Sequence, residues 1–347
     1  EDMTVDLLPG AEQLEIVTAA GEFLADRMPV ERIRANRHAQ APVPESLWRE
    51  CGELGLLTLG LDEESGGAGR PFDDEALLFV ELGKRLAPGP FLACTLGARV
   101  AARCGDDALA QRIGSGTASV ALAVLRGDGD VRHARPVKGT FDLFEPAGAS
   151  HALVVARSGA ALVDIDSFGQ LVPVHAADPG TRISSATVES AEPLHWLPAE
   201  DEWIWARAMV LASAYLTGLA AAAAALATEH AKTRVQFGKP IGVHQAIKHA
   251  CVNMEIAAEA AQAQTFFAAI ALADGRADAL LQVLSAVTVA GSAAVDNAAA
   301  GIHVFGGMGY TFENDMHLYL KRAHVFRHLF GEPTEVLAEL LAQDRAQ

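Results

Sequence analysis

The 347-residue chain is poor in positive charge, with 27 Lys and Arg against 44 Asp and Glu and a net charge of −17. So acidic a surface has no general attraction for phosphate backbones or anionic lipid, which argues against nucleic acid as a partner. An anionic small molecule would need a local cationic pocket. Cysteine is scarce too. Cys51, Cys94, Cys104 and Cys251 form no CxxC pair and show no metal-like spacing with histidine, so they read as reduced, mostly buried residues suited to a cytoplasm. There is no GxGxxG after a strand, hence no dinucleotide-binding fingerprint of that kind. The start, Glu1 and Asp2, lacks the basic region and apolar core of a secretory signal. The one long uncharged stretch, 208–228, is mostly Ala broken by Ser213, Thr217 and Gly218. It is expected as a buried bundle helix and not as a membrane span.

What the chain has in quantity is hydrophobic residues, 50% of the total, and 31 glycines. Half apolar composition at this length is ample for a large core. Apolar residues at helical spacing (Leu14, Ile16, Val17, Ala20, Phe23, Leu24) predict a helix near the start. Further helices are expected from Pro44 to Leu54 and from Asp73 to Leu86, separated by the glycine-rich turn 64–69 and stopped by Pro88-Gly-Pro90. From Ala118 to Pro198 short β-rich runs at 120–125, 153–156, 161–165, 171–174 and 187–188 alternate with turn residues, the pattern of a small antiparallel β domain. Ala-rich helices are predicted at 202–232, 243–274, 276–301, 312–330 and 333–344. Their small side chains favour a tight four-helix bundle. The expected fold is mainly α with a small β domain: an N-terminal helical domain (1–117), a shortened β domain (118–200) and a C-terminal helical bundle (201–347).

Two segments could carry chemistry. In Arg234-Val-Gln-Phe-Gly-Lys-Pro-Ile-Gly-Val-His-Gln245 one long helix ends and another begins, with Arg234 and Lys239 flanking the turn. An arginine there can clamp a phosphate bidentately and Phe237 offers a flat face for a ring. The same residues also suit a plain helix corner whose charges cap a C-terminus. In Gly301-Ile-His-Val-Phe-Gly-Gly-Met-Gly-Tyr310 the glycines allow close approach of a ligand to backbone amides, or simply form an interhelical loop. Weaker signals have plain readings. Glu313 and Asp315 suit a helix N-terminus. His317, His324 and His328 suit a half-buried polar face better than a metal site, and Trp203 and Trp205 suit core or interface anchors.

Together and in this order, the two segments resemble the acyl-CoA dehydrogenase family, with its R-x-x-F-G-x-x-[IL], H-Q and Q-x-x-G-G-x-G blocks. Arg234, Phe237, Gly238, Ile241, His244 and Gln245 match the first blocks; Gly306, Gly307 and Gly309 match the last. The segments Leu54-Gly-Leu56, Glu63–Gly69, Glu81-Leu-Gly83, Leu86-Ala-Pro88 and Ser115-Gly116 are also similar. The resemblance implies FAD-dependent α,β-dehydrogenation of an acyl-CoA thioester, with a carboxylate removing the α-proton and a hydride leaving to the flavin. It further implies that Arg234, Gln236, Phe237, Gly306 and Gly307, with His303 at the family's Gln position, contact the ADP part of FAD held by a neighbouring subunit.

Three departures qualify the resemblance. The family's catalytic Glu falls on Phe330, and the alternative slot at the start of the first bundle helix is Ala208, so neither offers a base. The family's Thr-Glu flavin-contact stretch is replaced by Leu122-Ala-Val-Leu-Arg-Gly-Asp-Gly129. The segment 310–322 resembles the version in actinobacterial members encoded as unlike pairs, α2β2 assemblies that act on sterol side-chain CoA esters. The reading is therefore a base-less subunit of a heteromeric enzyme, cytoplasmic, with FAD as cofactor and a second family member as partner. Two alternatives stand beside it: a self-sufficient homotetramer using Glu332 or another base, and a flavin-free scaffold or acyl-CoA binding subunit.

Overall fold

The computed structural model describes residues 8–133 and 135–343. The N-terminal part is helical, with α1 (Ala11–Arg27), α2 (Glu31–Ala35), α3 (Glu45–Glu53), α4 (Phe72–Lys84), α5 (Phe91–Arg103) and α6 (Asp107–Gly114). Local chemistry sets their ends. Gln13 turns back to accept from the Gly10 amide at 2.8 Å before α1, and the Asp106 carboxylate caps α6 by accepting from the Leu109 amide at 3.0 Å.

Seven strands follow: β1 (Val120–Asp130), β2 (Val137–Phe144), β3 (His151–Ala156), β4 (Gly159–Asp164), β5 (Val172–Val174), β6 (Ile183–Ala191) and β7 (Pro193–Pro198). They form one sheet in the order β5-β6-β2-β1-β3-β4-β7. The expectation of an antiparallel sheet needs one correction: β1 and β3 run parallel, Val120 opposite His151, while the other pairings are antiparallel. The chain leaves β1 into β2 by a hairpin, and β3 then takes the other edge of β1. Inward side chains pack a core around Val137, Phe141, Leu143, Val154, Val163 and Phe168, with Phe141 and Phe168 edge to face at 5.6 Å.

The C-terminal part comprises α7 (Ile204–Thr233), a two-residue-stranded hairpin of β8 (Val235–Gln236) and β9 (Lys239–Pro240), α8 (Gln245–Ala273), α9 (Ala279–Phe305), α10 (Met316–Arg327) and α11 (Pro333–Ala342). The chain divides into two compact units. Among the described residues, one holds 8–30, Ala76–Ala87 and 209–343; the other holds Glu31–Glu75, 88–133 and 135–208.

In the first unit, glycines let backbones touch. A Cβ on Gly218 of α7 would lie 2.0 Å from the Val80 carbonyl of α4, and one on Gly83 would lie 2.0 Å from the Tyr215 carbonyl. Polar groups inside the bundle pair up. The Thr217 and Thr265 hydroxyls are 3.1 Å apart, and the Asn297 amide donates to the Ala220 and Met254 carbonyls. Three helices, Ile204–Thr233, Gln245–Ala273 and Ala279–Tyr310, are long and apolar enough to cross a membrane. They differ in burial: 78% of the most apolar stretch of the first is buried, against 39% and 44% for the other two.

In the second unit Arg207 is largely buried, and burial pulls its proton affinity down against the carboxylates beside it. It pairs with Glu75 and, at 3.2 Å, with Glu202, which also holds Arg99 and Arg103. Phe72 lies under the Arg207 guanidinium at 3.9 Å.

Candidate functional site

The corner between α7 and α8 is built by a short hairpin. Gln236 and Lys239 pair across its two-residue tip, Phe237-Gly238, where φ is 53° and 75°. Two positive φ values make the turn whose twist suits a tight hairpin, a conformation easy for Gly238 and strained for Phe237. That strained phenylalanine is also 95% exposed. Neither the hydrophobic effect nor backbone preference of this chain accounts for a bulky ring held out at a left-handed position, which points to a ligand or partner outside it.

Arg234 starts the hairpin, its amide donating to the His230 carbonyl at 2.8 Å and its carbonyl accepting from the Ile241 amide at 2.8 Å. Its side chain is exposed, and among the described residues no carboxylate pairs with it. Lys232 is paired with Glu229 at 2.7 Å. Lys239 and Lys248 also stand within residues 228–250, where Glu229 is the one acid. The net −17 protein thus carries a cationic corner here. Gln236 is exposed, with its amide donating to the Val235 carbonyl at 3.0 Å.

The glycine loop ends α9 at the same region of the bundle. Ile241 at the base of the hairpin and Phe305 just before the loop pack against one apolar cluster of Ala227, Ala231, Met254 and Ile302. His230 stacks on Phe305, ring centroids 4.2 Å apart. Sequence reasoning overlooked His230, a lone histidine in an Ala-rich helix whose one signal was its place four residues before Arg234. His303 is exposed on α9.

The three glycines of the loop differ in what demands them. Gly309 is packed, since a Cβ would lie 2.5 Å from the Ile302 carbonyl. Gly306 has φ 65° and ψ −139°, a region closed to side chains. Gly307 has neither constraint, and a Cβ there would meet nothing within 4 Å. Its missing side chain leaves room only for something this chain does not itself supply. An exposed arginine with no carboxylate partner among the described residues, an exposed aromatic face and an open loop at Gly307 suit a phosphorylated, ring-bearing ligand such as the ADP end of a dinucleotide.

The two slots where a catalytic carboxylate would stand are closed. Ala208 is fully buried. Phe330 lines a gap with Met209, Ser213, Leu216, Val287 and Phe326 that measures about 10 Å³, room for about one water. Glu332 sits at the N-cap of α11 with Pro333 in the first turn, and its carboxylate lies 3.2 Å from His328 Nδ1. These are the surroundings of a helix-end charge.

Trp205 is buried and lies 5.7 Å from Trp203. No group of three His, Cys, Asp or Glu side chains among the described residues is arranged to hold a metal ion. The side-chain cap of α10 comes from Asn314, whose carbonyl oxygen accepts from the Met316 amide at 2.9 Å, whereas Asp315 makes no such cap. A larger cleft, about 270 Å³, lies within the second unit between Pro42, Trp48, Pro90, Ser119 and Glu145. Its lining carries Glu45 and Glu145 and no Lys, Arg or His among the described residues.

Comparison with known proteins meets this geometry. Residues 203–345 match the model of the acyl-CoA dehydrogenase C-terminal domain and residues 10–120 that of its N-terminal domain. The chain is 33% identical over 338 residues to the acyl-CoA dehydrogenase IpdE2 of Mycobacterium tuberculosis, covering 96% of this chain and 98% of that protein. A variant of the Tcur3481-Tcur3483 steroid ACAD superposes with a TM-score of 0.84 at 26% identity, covering 96% and 97% of the two chains. The ChsE4-ChsE5 complex from Mycobacterium tuberculosis has a TM-score of 0.86 over 99% of this chain and 100% of that one, at 22% identity, and speaks to the fold.

Proposed function

Because the chain belongs to the acyl-CoA dehydrogenase family, we propose that it is the subunit without a catalytic base in a heteromeric acyl-CoA dehydrogenase. The observation that carries this is the contrast between two ends of one bundle. The base slot is filled by Phe330 over a gap of about 10 Å³, while Arg234, Phe237 and Gly307 face outward with no use inside this chain. Family members are FAD-dependent oxidoreductases acting on acyl-CoA. When bound, FAD supplies the hydride acceptor for forming the α,β double bond.

In this reading Arg234 clamps the diphosphate, the Phe237 ring lies against the nucleotide, and the side-chain-free backbone at Gly306 and Gly307 lets it approach closely. His303 and Gln236 add hydrogen bonds. The proton leaving Cα goes to a carboxylate of the partner subunit, since this chain offers none at either slot. The half-exposed apolar faces of α8 and α9 are covered by that second subunit in an α2β2 assembly, with no membrane crossing and in the cytoplasm. The names of the similar steroid ACAD and of the two-component ChsE4-ChsE5 complex support a sterol-derived CoA ester as substrate and an unlike partner.

Two substitutions test the assignment in the co-purified complex. Arg234→Ala should strip most of the bound flavin, since removing one charged phosphate contact forfeits about 1.5–3 kcal/mol. Glu332→Gln should leave turnover within about twofold, a change of about 0.4 kcal/mol in the barrier. Abolition of turnover by Glu332→Gln would instead make the chain a self-sufficient enzyme. Full flavin occupancy in Arg234→Ala would make it a scaffold.

A further inference from the structure

The nucleotide corner is assembled from two helices far apart in sequence, and one side chain joins them. His230, on the last turn of α7, lies parallel to Phe305, on the last turn of α9, at 4.2 Å between ring centroids and 20° between planes. On the α7 side the His230 carbonyl accepts from the Arg234 amide at 2.8 Å, so the residue that stacks also ends the helix at the point where Arg234 leaves it. On the α9 side Phe305 immediately precedes Gly306, whose φ of 65° and ψ of −139° throw the chain into the glycine loop. A stacked pair has a preferred offset and spacing, so it fixes both the separation and the rotation of the elements that carry it.

We propose that His230 is a positioning residue for the nucleotide, its stack on Phe305 holding the Arg234 hairpin and the Gly306-Gly307 loop at the spacing the ligand spans. This rests on the reading that the corner takes the ADP end of FAD. The pair is only half buried, which separates it from the cores that set global stability. A residue needed only to fill space here would be served by an aliphatic side chain. Burial and then the positive charge of Arg234 both favour the neutral imidazole, the form that stacks without repelling the guanidinium.

The test uses the co-purified complex and FAD as the probe, with flavin release on dilution followed by fluorescence and the thermal midpoint measured in parallel. His230→Ala should weaken FAD retention on the order of fivefold, the worth of a stacked pair beyond its burial, while the midpoint shifts by no more than a few degrees. His230→Phe, which keeps a flat ring, should restore retention. Phe305→Ala should match His230→Ala, and the double variant should be no worse than either single one. Wild-type retention in His230→Ala, failure of His230→Phe to rescue, or additive losses in the double variant would each overturn the proposal while leaving the functional reading intact. A wild-type complex without flavin would overturn both.

Discussion

At the level of single residues, Phe237 is where the proposed function would sit against stability. An L-residue in the left-handed region is strained by about 1–2 kcal/mol, and 95% exposure returns nothing from burial. Phe237→Gly is therefore expected to leave the thermal midpoint unchanged or raised while flavin retention in the complex falls; a lowered midpoint with full retention would mean the ring serves the fold. Titration gives a second expectation. Burial holds His151, His230 and His324 below the ordinary histidine value of 6.5. The unfolded chain takes up these protons first, so their contribution to stability is complete above about pH 6.5 and is lost as the pH falls through that value towards the lower folded ones. Midpoints recorded from about pH 7.5 to about pH 5.5 should decline, and His151→Phe should flatten the slope. The buried thiols of Cys51 and Cys94, both pushed up to about 12, should resist alkylation in the native protein, read by mass.

At the scale of elements, the close approach of α4 and α7 depends on glycine. Gly218→Ala would drive a methyl to 2.0 Å from the Val80 carbonyl, and forced separation of packed helices should destabilise by about 1–3 kcal/mol in chemical denaturation. Phe141→Ala in the sheet should remove about 3–5 kcal/mol, because its ring is fully buried against Phe168. The bundle helices and α1, α3 and α4 were legible because their signals are local, whereas α2, α5 and α6 were not singled out. The 3.6-residue spacing of Leu14 to Leu24 lies within α1, Pro44 stands at the N-cap of α3, and Gly55 follows its end with φ 76°. The strands were less so. Residues 137–144 (VKGTFDLF) form β2, yet Lys138, Gly139 and Asp142 masked its alternation, and only the neighbouring strands select its inward face. Gly127-Asp-Gly129 read as a turn, but β1 runs through it to Asp130 with a register shift after Arg126. The motifs marked the corner between α7 and α8 and the glycine loop residue by residue, and the two pack against one apolar cluster. Their geometric link through His230 was hidden, because a contact between residues so far apart along the chain leaves no periodic trace.

At the scale of the whole molecule, the incompletely buried α8 and α9 are the surfaces that the proposed partner subunit would cover. Exposed Val252 and Ile256 on α8 and Val243 just before it belong to that uncovered face. In the proposed assembly the outward corner at Arg234 and the closed base slot are halves of a shared site completed by an unlike subunit. The measurement that tests it most directly is the visible spectrum and native mass of this chain, purified alone and then with a second family member that carries a glutamate at one of the two base slots. A colourless, inactive chain alone and a yellow, active four-chain complex are the expected results. A yellow, active homo-oligomer of this chain by itself would contradict the shared site.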